Sequence, residues 1–184
     1  MTITEPVARP LSARDPRLEP WRAFLRAHAR ISRRLDEELR AEHDLSLAEY
    51  DALLSIAESG GRRIRMRQLA DRMLLSKSGV TRLVDRLVAD GLVARDSCLT
   101  DARGAEAVLT PAGLSRLRTA SRTHLRGIDE HFLASIATEE LETVESVMLR
   151  LADRAGPGGE HEHCQSTAAA IRESAGDGES DSER

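Results

Sequence analysis

The sequence predicts a mainly α-helical fold with a small β element, in which a helix-turn-helix and a wing lie between long terminal helices. Three observations predict it. Apolar residues recur at helical spacing through most of residues 20–155. Two helical patterns within residues 66–90 are separated by a short turn, and two strand patterns then flank a charged loop. The helical segments before and after this unit carry apolar stripes of their own.

The chain begins with an arm and a long helix. Residues 1–19 contain three prolines and no apolar period, which predicts a flexible arm. Pro20 suits a first helical turn, so a helix is expected from there to about residue 42. Its stripe is longer than a small lobe requires, which indicates a second surface to cover, such as a partner subunit. The stripe comprises Trp21, Phe24, Leu25, His28, Ile31, Leu35 and Leu39.

The lobe is expected over residues 45–110. A helix over 48–59, with Ser46 as a possible cap, is followed by a short strand over 62–65. A helix over 66–73 and a turn over 74–77 lead into a second helix over about 76–90, with Ser76 as its N-cap and Gly91 at its end. Its buried face is predicted to hold Val80, Leu83, Val84 and Leu87. A strand, a charged loop and a second strand complete the wing.

Two more helices and a tail follow the wing. Thr110 and Pro111 make an N-cap and a first helical position for a helix that is expected to reach roughly residue 137. A further helix is expected from Thr138 to about residue 155. Helical segments with apolar stripes, over residues 20–42 and 111–155, therefore lie on both sides of the lobe in sequence. Residues 156–184 hold seven acidic residues and two arginines among Gly, Ser and Ala, which predicts a disordered acidic tail.

Charge is distributed unevenly along the chain. The net charge is −4, yet residues 60–104 carry ten Arg and Lys against five Asp, a local charge of +5, which leaves −9 for the remainder. A basic lobe on an acidic protein can still bind phosphates, because the electrostatic potential near the lobe attracts them more than the net charge of the chain repels them. The expected DNA-contacting side chains lie on the second helix, at the start of the wing and at its tip: Ser76, Lys77, Ser78, Thr81, Arg82, Arg86, Arg95, Asp101 and Arg103. Arg103 suits a narrow minor groove, with Asp101 positioned to hold it.

These motifs together resemble the MarR family of bacterial transcription regulators. The run LADRMLLSKSGVTRLVDRLVADGLVAR, then DARGAEAVLTPAG, carries the resemblance over roughly residues 21–155. It implies a winged helix-turn-helix that acts as a two-fold homodimer on a palindromic DNA operator, with one helix of each protomer in a major groove. In the resemblance, residues 20–42 and 111–155 are the dimerisation helices. It also implies a regulator, more commonly a repressor, that a small aromatic or anionic effector releases from DNA.

An effector would need an aromatic and cationic group near the junction of the lobe and the dimer helices. The residues of the expected ligand-binding group are Trp21, Arg22, Phe24, His28 and Tyr50. Ordinary core packing of the aromatic rings is the alternative interpretation.

A metal- or thiol-responsive DNA-binding regulator is a second hypothesis. Cys98 lies in the expected wing between Arg95 and Arg103, which could stabilise a thiolate. The tail run of residues 160–164 contains metal-ligand residue types without the spacing of a structural site, so no metal site is predicted there. Four histidines could contribute to a site between helices: His28, His43, His124 and His131.

Other function classes find little support. There is no phosphate-binding glycine loop, metalloprotease motif or nucleophile elbow, so neither an enzyme nor a cofactor is expected. No run of 18 apolar residues and no signal peptide is present, so a cytoplasmic protein without membrane contact is expected. A winged-helix protein-interaction module without DNA binding is the alternative of another class, and the basic lobe argues against it.

Overall fold

The computed structural model describes residues 11–97 and 105–155. Its helices and strands follow in the order α1 Glu19–His43, α2 Leu47–Ala57, β1 Arg63–Arg65, α3 Met66–Arg72, α4 Lys77–Ala89, β2 Val93–Ser97, β3 Ala105–Leu109, α5 Pro111–His131 and α6 Leu141–Ala155. The predicted fold class is confirmed, because helices dominate and the small sheet lies with the helix-turn-helix in the lobe. No helix within the described residues is both long and apolar enough to cross a membrane.

The helix starts follow from local capping. Ser46 Oγ accepts from the N–H of Glu49, whose carboxylate in turn accepts from the N–H of Ser46, so α2 begins with a reciprocal capping box. Thr110 Oγ1 accepts from the N–H of Gly113 and caps α5, with Pro111 in the first turn as expected. These caps fix where α2 and α5 leave the preceding loops.

The sheet has three antiparallel strands in the order β1-β3-β2. Ile64 of β1 and Arg95 of β2 both pair with Ala107 of β3. The predicted third strand beside the wing is therefore confirmed. Because β3 is central and leads directly into α5, the wing is joined to the longest helix that follows it.

The core lies inside the lobe and is centred on α2. Five residues of α2 are buried there: Tyr50, Ala52, Leu53, Leu54 and Ile56. The predicted inner face of α4 is buried against them, and Leu39 of α1 and Leu117 of α5 close the core on the other side. Burial of these aliphatic side chains is the main source of the lobe's stability. The first ten residues of α1 after Pro20, by contrast, contribute nothing to this core.

The helix predicted to reach residue 137 ends six residues earlier, at His131. Single 3-10 turns at Leu133–Ser135 and Thr138–Glu140 separate it from α6. Two helices that follow one another need a break in which the last C=O groups of one and the first N–H groups of the other find partners. Here the carboxylate of Glu140 accepts from the N–H of Ala137 at 3.1 Å, at the start of the turn that leads into α6.

Candidate nucleic-acid interface

The local sequence sets the position of α4. After α3, Leu74 adopts a left-handed conformation with φ 52°, and the N–H of Leu75 then donates to the C=O of Ala70. Ser76 Oγ accepts from the N–H of Gly79 at 3.1 Å, as predicted for the N-cap. This tight turn places α4 directly after α3, in the arrangement that lets the second helix of such a pair enter a major groove.

The outer face of α4 is polar and open to solvent. Four of its predicted DNA-contacting side chains are exposed: Lys77, Ser78, Thr81 and Arg82. Ser76 and Ser78 share a hydrogen bond of 3.2 Å at the helix start. The hydroxyl of Thr81 donates to the C=O of Lys77, so its proton is already engaged within the helix. Lys77 and Arg82 form no ion pair within the part of the chain described, which leaves both charges available.

Two predicted DNA-contacting arginines have partners inside the lobe. Arg86 Nε lies 3.0 Å from Glu49 Oε1, so this arginine joins α4 to the cap of α2. Arg95 Nη1 lies 2.8 Å from Asp85 Oδ1. The Nη2 atom of the same guanidinium donates to the C=O of Thr81 at 3.3 Å. Both guanidinium groups therefore have intramolecular roles that sequence spacing did not reveal.

The tip of the wing falls outside the described residues. Asp101 and Arg103, which were predicted to contact the minor groove, lie there, as does Cys98. Their predicted roles stay predictions.

The base of the wing is fastened to α5. Thr110 Oγ1 donates toward the C=O groups of Gly91 and Leu92, at 2.8 and 3.0 Å. The backbone of Gly113 lies so close to this point that an added Cβ would meet Leu92 O at 2.0 Å. Only glycine permits this approach, so the end of α4, the start of β2 and the first turn of α5 form one tightly packed unit.

Three further cations were not among the predicted contacts. Arg62, Arg65 and Arg67 are exposed, and within the described ranges none of them forms an ion pair. Arg63, between them, is instead neutralised by Asp96 and Glu106, at 3.6 and 3.4 Å. The sequence signal was the run of alternating arginines around β1. These side chains add positive charge to the lobe beyond α4.

Only four of the five predicted effector-binding residues lie together in the structure. Trp21 and Phe24 stack with ring centroids 5.9 Å apart, and His28 follows at 6.2 Å from Phe24. All three are exposed on α1, and Trp21 keeps 56% of its surface accessible. Arg22 lies beside them, with Nη1 2.5 Å from Glu19 Oε1 and a second hydrogen bond to the C=O of Ala13. These four residues share one end of α1.

Tyr50 does not join them. It is fully buried in the lobe, where its hydroxyl donates to Ser121 Oγ at 3.3 Å and its ring lies 4.4 Å from that of His124. Burial raises the pKa of Tyr50 and lowers the pKa of His124. Tyr50 was expected to belong to an accessible aromatic group. It is a core residue instead, because its ring points from α2 into the core.

The four candidate histidines also have separate partners. His28 lies beside Phe24, His124 packs on Tyr50, and His43 hydrogen-bonds Thr123 Oγ1 at 2.8 Å. His131 instead meets a carboxylate of α1. They do not converge on one another.

Several large apolar side chains remain partly exposed on the long helices. On α1 they are Trp21, Phe24 and Leu25; after α5 and on α6 they are Phe132, Leu133, Leu141, Met148, Leu149 and Leu151. Exposed apolar side chains of this kind are available for a contact with another protein chain.

Comparisons with known proteins agree with this geometry. A family model described as the MarR family matches residues 43–104. The chain is 26% identical over 126 residues to the HTH-type transcriptional regulator MhqR of Bacillus subtilis (strain 168), a match that covers 68% of this chain and 84% of MhqR.

Solved structures extend the match beyond the lobe. Sco3205 of Streptomyces coelicolor, a MarR family transcriptional regulator solved in complex with DNA, superposes with a TM-score of 0.73 and 29% identity, covering 83% of this chain and 93% of that chain. AbsC, a MarR family transcriptional regulator of the same organism, gives a TM-score of 0.71 and 29% identity over 80% of this chain and 97% of AbsC. These relatives are transcriptional regulators, not enzymes. The chain is therefore similar to transcriptional regulators of the MarR family, and the resemblance that its motifs predicted is confirmed.

Proposed function

We propose that the protein is a sequence-specific DNA-binding transcriptional regulator that acts as a homodimer, and more specifically a repressor. The observation that carries this proposal is the exposed outer face of α4, where Ser78 lies between Lys77 and Arg82, two cations with no ion pair among the described residues. A helix with a capped start, short hydroxyl side chains and free cations suits a major groove. Sco3205, which shares 29% identity with this chain, was solved in complex with DNA.

Different side chains would serve different purposes on DNA. Arg82 would read a base edge or hold a phosphate, and Ser76, Lys77 and Ser78 would contact the backbone around it. Thr81 would join them by turning its hydroxyl away from the C=O of Lys77. Asp101 and Arg103 would place the wing tip in the flanking minor groove. Arg86 and Arg95 would act mainly by fixing α4 to α2 and β2, because each already has a carboxylate within 3.0 Å.

The dimer would use the exposed apolar surface of residues 20–42 and 111–155, and the lobe over 45–110 would project from it. In this dimer α4 of each protomer would be the recognition helix, which is the helix that enters a major groove. Two recognition helices about 34 Å apart match half-sites one helical turn apart in a palindromic DNA site. Burying the exposed apolar residues of α6 against a second copy would remove them from water, which favours association. Such a regulator would work beside chromosomal DNA in the cytoplasm, without a catalytic step or a cofactor.

A small aromatic effector would bind at the end of α1. The rings of Trp21, Phe24 and His28 would stack against an aromatic ligand. Arg22 lies beside them, and its guanidinium would pair with an anionic ligand group in addition to Glu19. An effector bound there would lie on the dimer helices and outside the reading lobe. It would therefore act on the spacing of the two lobes.

Binding to duplex fragments from the protein's own promoter region, titrated against salt, tests the proposal. A dimer that contacts phosphates should bind one site saturably, and its log affinity should fall linearly with log salt. Phenolic ligands added to the same complex should release the DNA if the effector proposal is correct. Binding no tighter than to unrelated duplex would reject sequence-specific recognition and favour a winged-helix module for protein contact.

A further inference from the structure

A second cluster of chemical groups lies between α1 and α5, outside the reading lobe. Glu38 of α1 meets Glu130 and His131 at the end of α5, and one potential ligand atom of each lies within 4.8 Å of the others. His131 Nε2 is 2.6 Å from Glu38 Oε1. The pair is 93 residues apart in sequence, so only the packing of α1 on α5 brings it together.

The cluster lacks positive charge. Glu38 and Glu130 form no ion pair with any arginine or lysine of the described residues, and His131 is the one basic group that meets Glu38. The second oxygen of Glu38, Oε2, is buried and has no hydrogen-bond partner there. A carboxylate oxygen without water or a donor is costly, and a bound cation is one way to satisfy it.

The backbone around Glu38 is shaped to admit its carboxylate. An added Cβ at Gly127 would lie 2.6 Å from Glu38 Oε2 and from Leu35 Cδ2. Glycine at this position, one helical turn before His131, gives the carboxylate its room. The cluster also lies at the C-terminus of α5, where the partial negative charge of the helix end favours a cation.

We propose that Glu38, Glu130 and His131 bind one divalent transition-metal ion per protomer, of the Zn²⁺ type, with water completing the shell. Two carboxylates and a neutral imidazole balance a +2 charge, and the imidazole favours a transition metal over Ca²⁺ or Mg²⁺. The ion would replace the hydrogen bond between Glu38 and His131 and clamp α1 to α5. This site goes beyond DNA recognition and does not depend on it.

Cobalt binding to the full-length dimer tests the site by spectroscopy. The tail has metal-ligand residue types of its own, so the starting protein carries His161→Ala, His163→Ala and Cys164→Ser. This protein should take up one Co²⁺ per chain with d–d absorption bands, and Zn²⁺ should displace it. Glu38→Gln and His131→Ala should each weaken binding at least tenfold. Glu37→Gln, which removes an exposed carboxylate of α1 outside the cluster, should leave binding unchanged.

Glu130→Gln serves as a second variant, because Glu130 is exposed and its replacement leaves the helix packing intact. It should also weaken Co²⁺ binding, with an unchanged circular dichroism spectrum. The proposal is overturned if the tail-substituted protein binds no metal, or if all three cluster variants bind as tightly as their parent. No DNA enters these measurements, so either result leaves the proposed regulatory function to its own test.

Discussion

Arg95 and Asp85 form an ion pair, with Nη1 2.8 Å from Oδ1, that joins the first strand of the wing to the outer face of α4. Both side chains remain partly exposed, so the pair contributes at most about 1 kcal/mol to the free energy of unfolding. Its effect should lie in geometry, because it holds the wing at a fixed angle to the recognition helix.

A double-mutant cycle measures that effect. If Arg95 acts by positioning the wing, Asp85→Asn and Arg95→Gln should weaken DNA binding by similar factors, and the double variant should be no worse than either single variant. Affinity at fixed salt is the measurement. A much larger loss in Arg95→Gln than in Asp85→Asn would show that Arg95 contacts DNA directly.

Arg82 is expected to carry a direct contact. Removing its guanidinium in Arg82→Ala should weaken binding to the specific site by roughly 1–3 kcal/mol, with little change in thermal stability, because the side chain is exposed and forms no ion pair within the described chain. Fluorescence anisotropy with a labelled duplex measures the loss. Arg122→Ala, an exposed arginine of α5 outside the lobe, is the matched control and should bind normally. Equal affinities for both variants would remove Arg82 from the reading face.

The close approach of Gly113 to Leu92 predicts a large loss of stability in Gly113→Ala. The added Cβ would meet a backbone oxygen at 2.0 Å, which cannot yield as a flexible side chain can. We expect a destabilisation of roughly 3 kcal/mol, measured by urea unfolding. In Gly60→Ala the new Cβ meets nothing within 4 Å, so this control should change stability by no more than about 0.5 kcal/mol. A tolerated Gly113→Ala would contradict the packing of the wing against α5.

Asp51 of α2 predicts a dependence of stability on pH. Burial raises the pKa of its carboxyl from 3.8 to about 6. The folded state therefore binds more protons than the unfolded state between these values, and the stability of the protein falls as pH rises through this range. Asp51→Asn removes the charged form, so it should stabilise the protein at pH 7.5 by about 1–3 kcal/mol and have little effect near pH 4.

Urea unfolding at the two pH values checks this. Asp71→Asn, which changes an exposed aspartate of α3, should shift stability by the same small amount at both. If Asp51→Asn behaved in the same way, the carboxyl of Asp51 would not be desolvated in the folded protein.

If the exposed apolar residues of α6 form the dimer contact, introducing negative charge among them should weaken the dimer. Met148→Glu combined with Leu151→Glu places two carboxylates on the exposed apolar surface, where burial against a second copy would be costly. Light scattering after size exclusion should give twice the 20.2 kDa chain mass for the wild type and a concentration-dependent decrease for the variant. Thr143→Glu, which changes an exposed polar residue of α6, should remain dimeric.

Local signals predicted much of the lobe correctly. The start of α4 was predicted from the cap at Ser76, and its buried face from the helical spacing of four apolar residues, Val80, Leu83, Val84 and Leu87. Both predictions are correct, because capping and helical periodicity depend on residues only a few positions apart. The end of α5 was missed, since no glycine or proline marks it. The role of Arg86 was missed for another reason: its partner Glu49 lies 37 residues away, and only the folded chain brings the two together. For Tyr50 the sequence left open an effector site or core packing, since its partner Ser121 lies 71 residues away.

The fastening of the wing to Thr110 and Gly113 has a mechanical consequence. It makes α5 a lever with one end on the reading lobe and the other end at His131, next to the exposed Phe132 and Leu133. The 21 residues of α5 span roughly 31 Å at 1.5 Å per residue. A tilt of about 5° at one end would thus displace the other by nearly 3 Å, by simple rigid-body geometry. Two such levers in a dimer would alter the distance between recognition helices without any change inside either lobe.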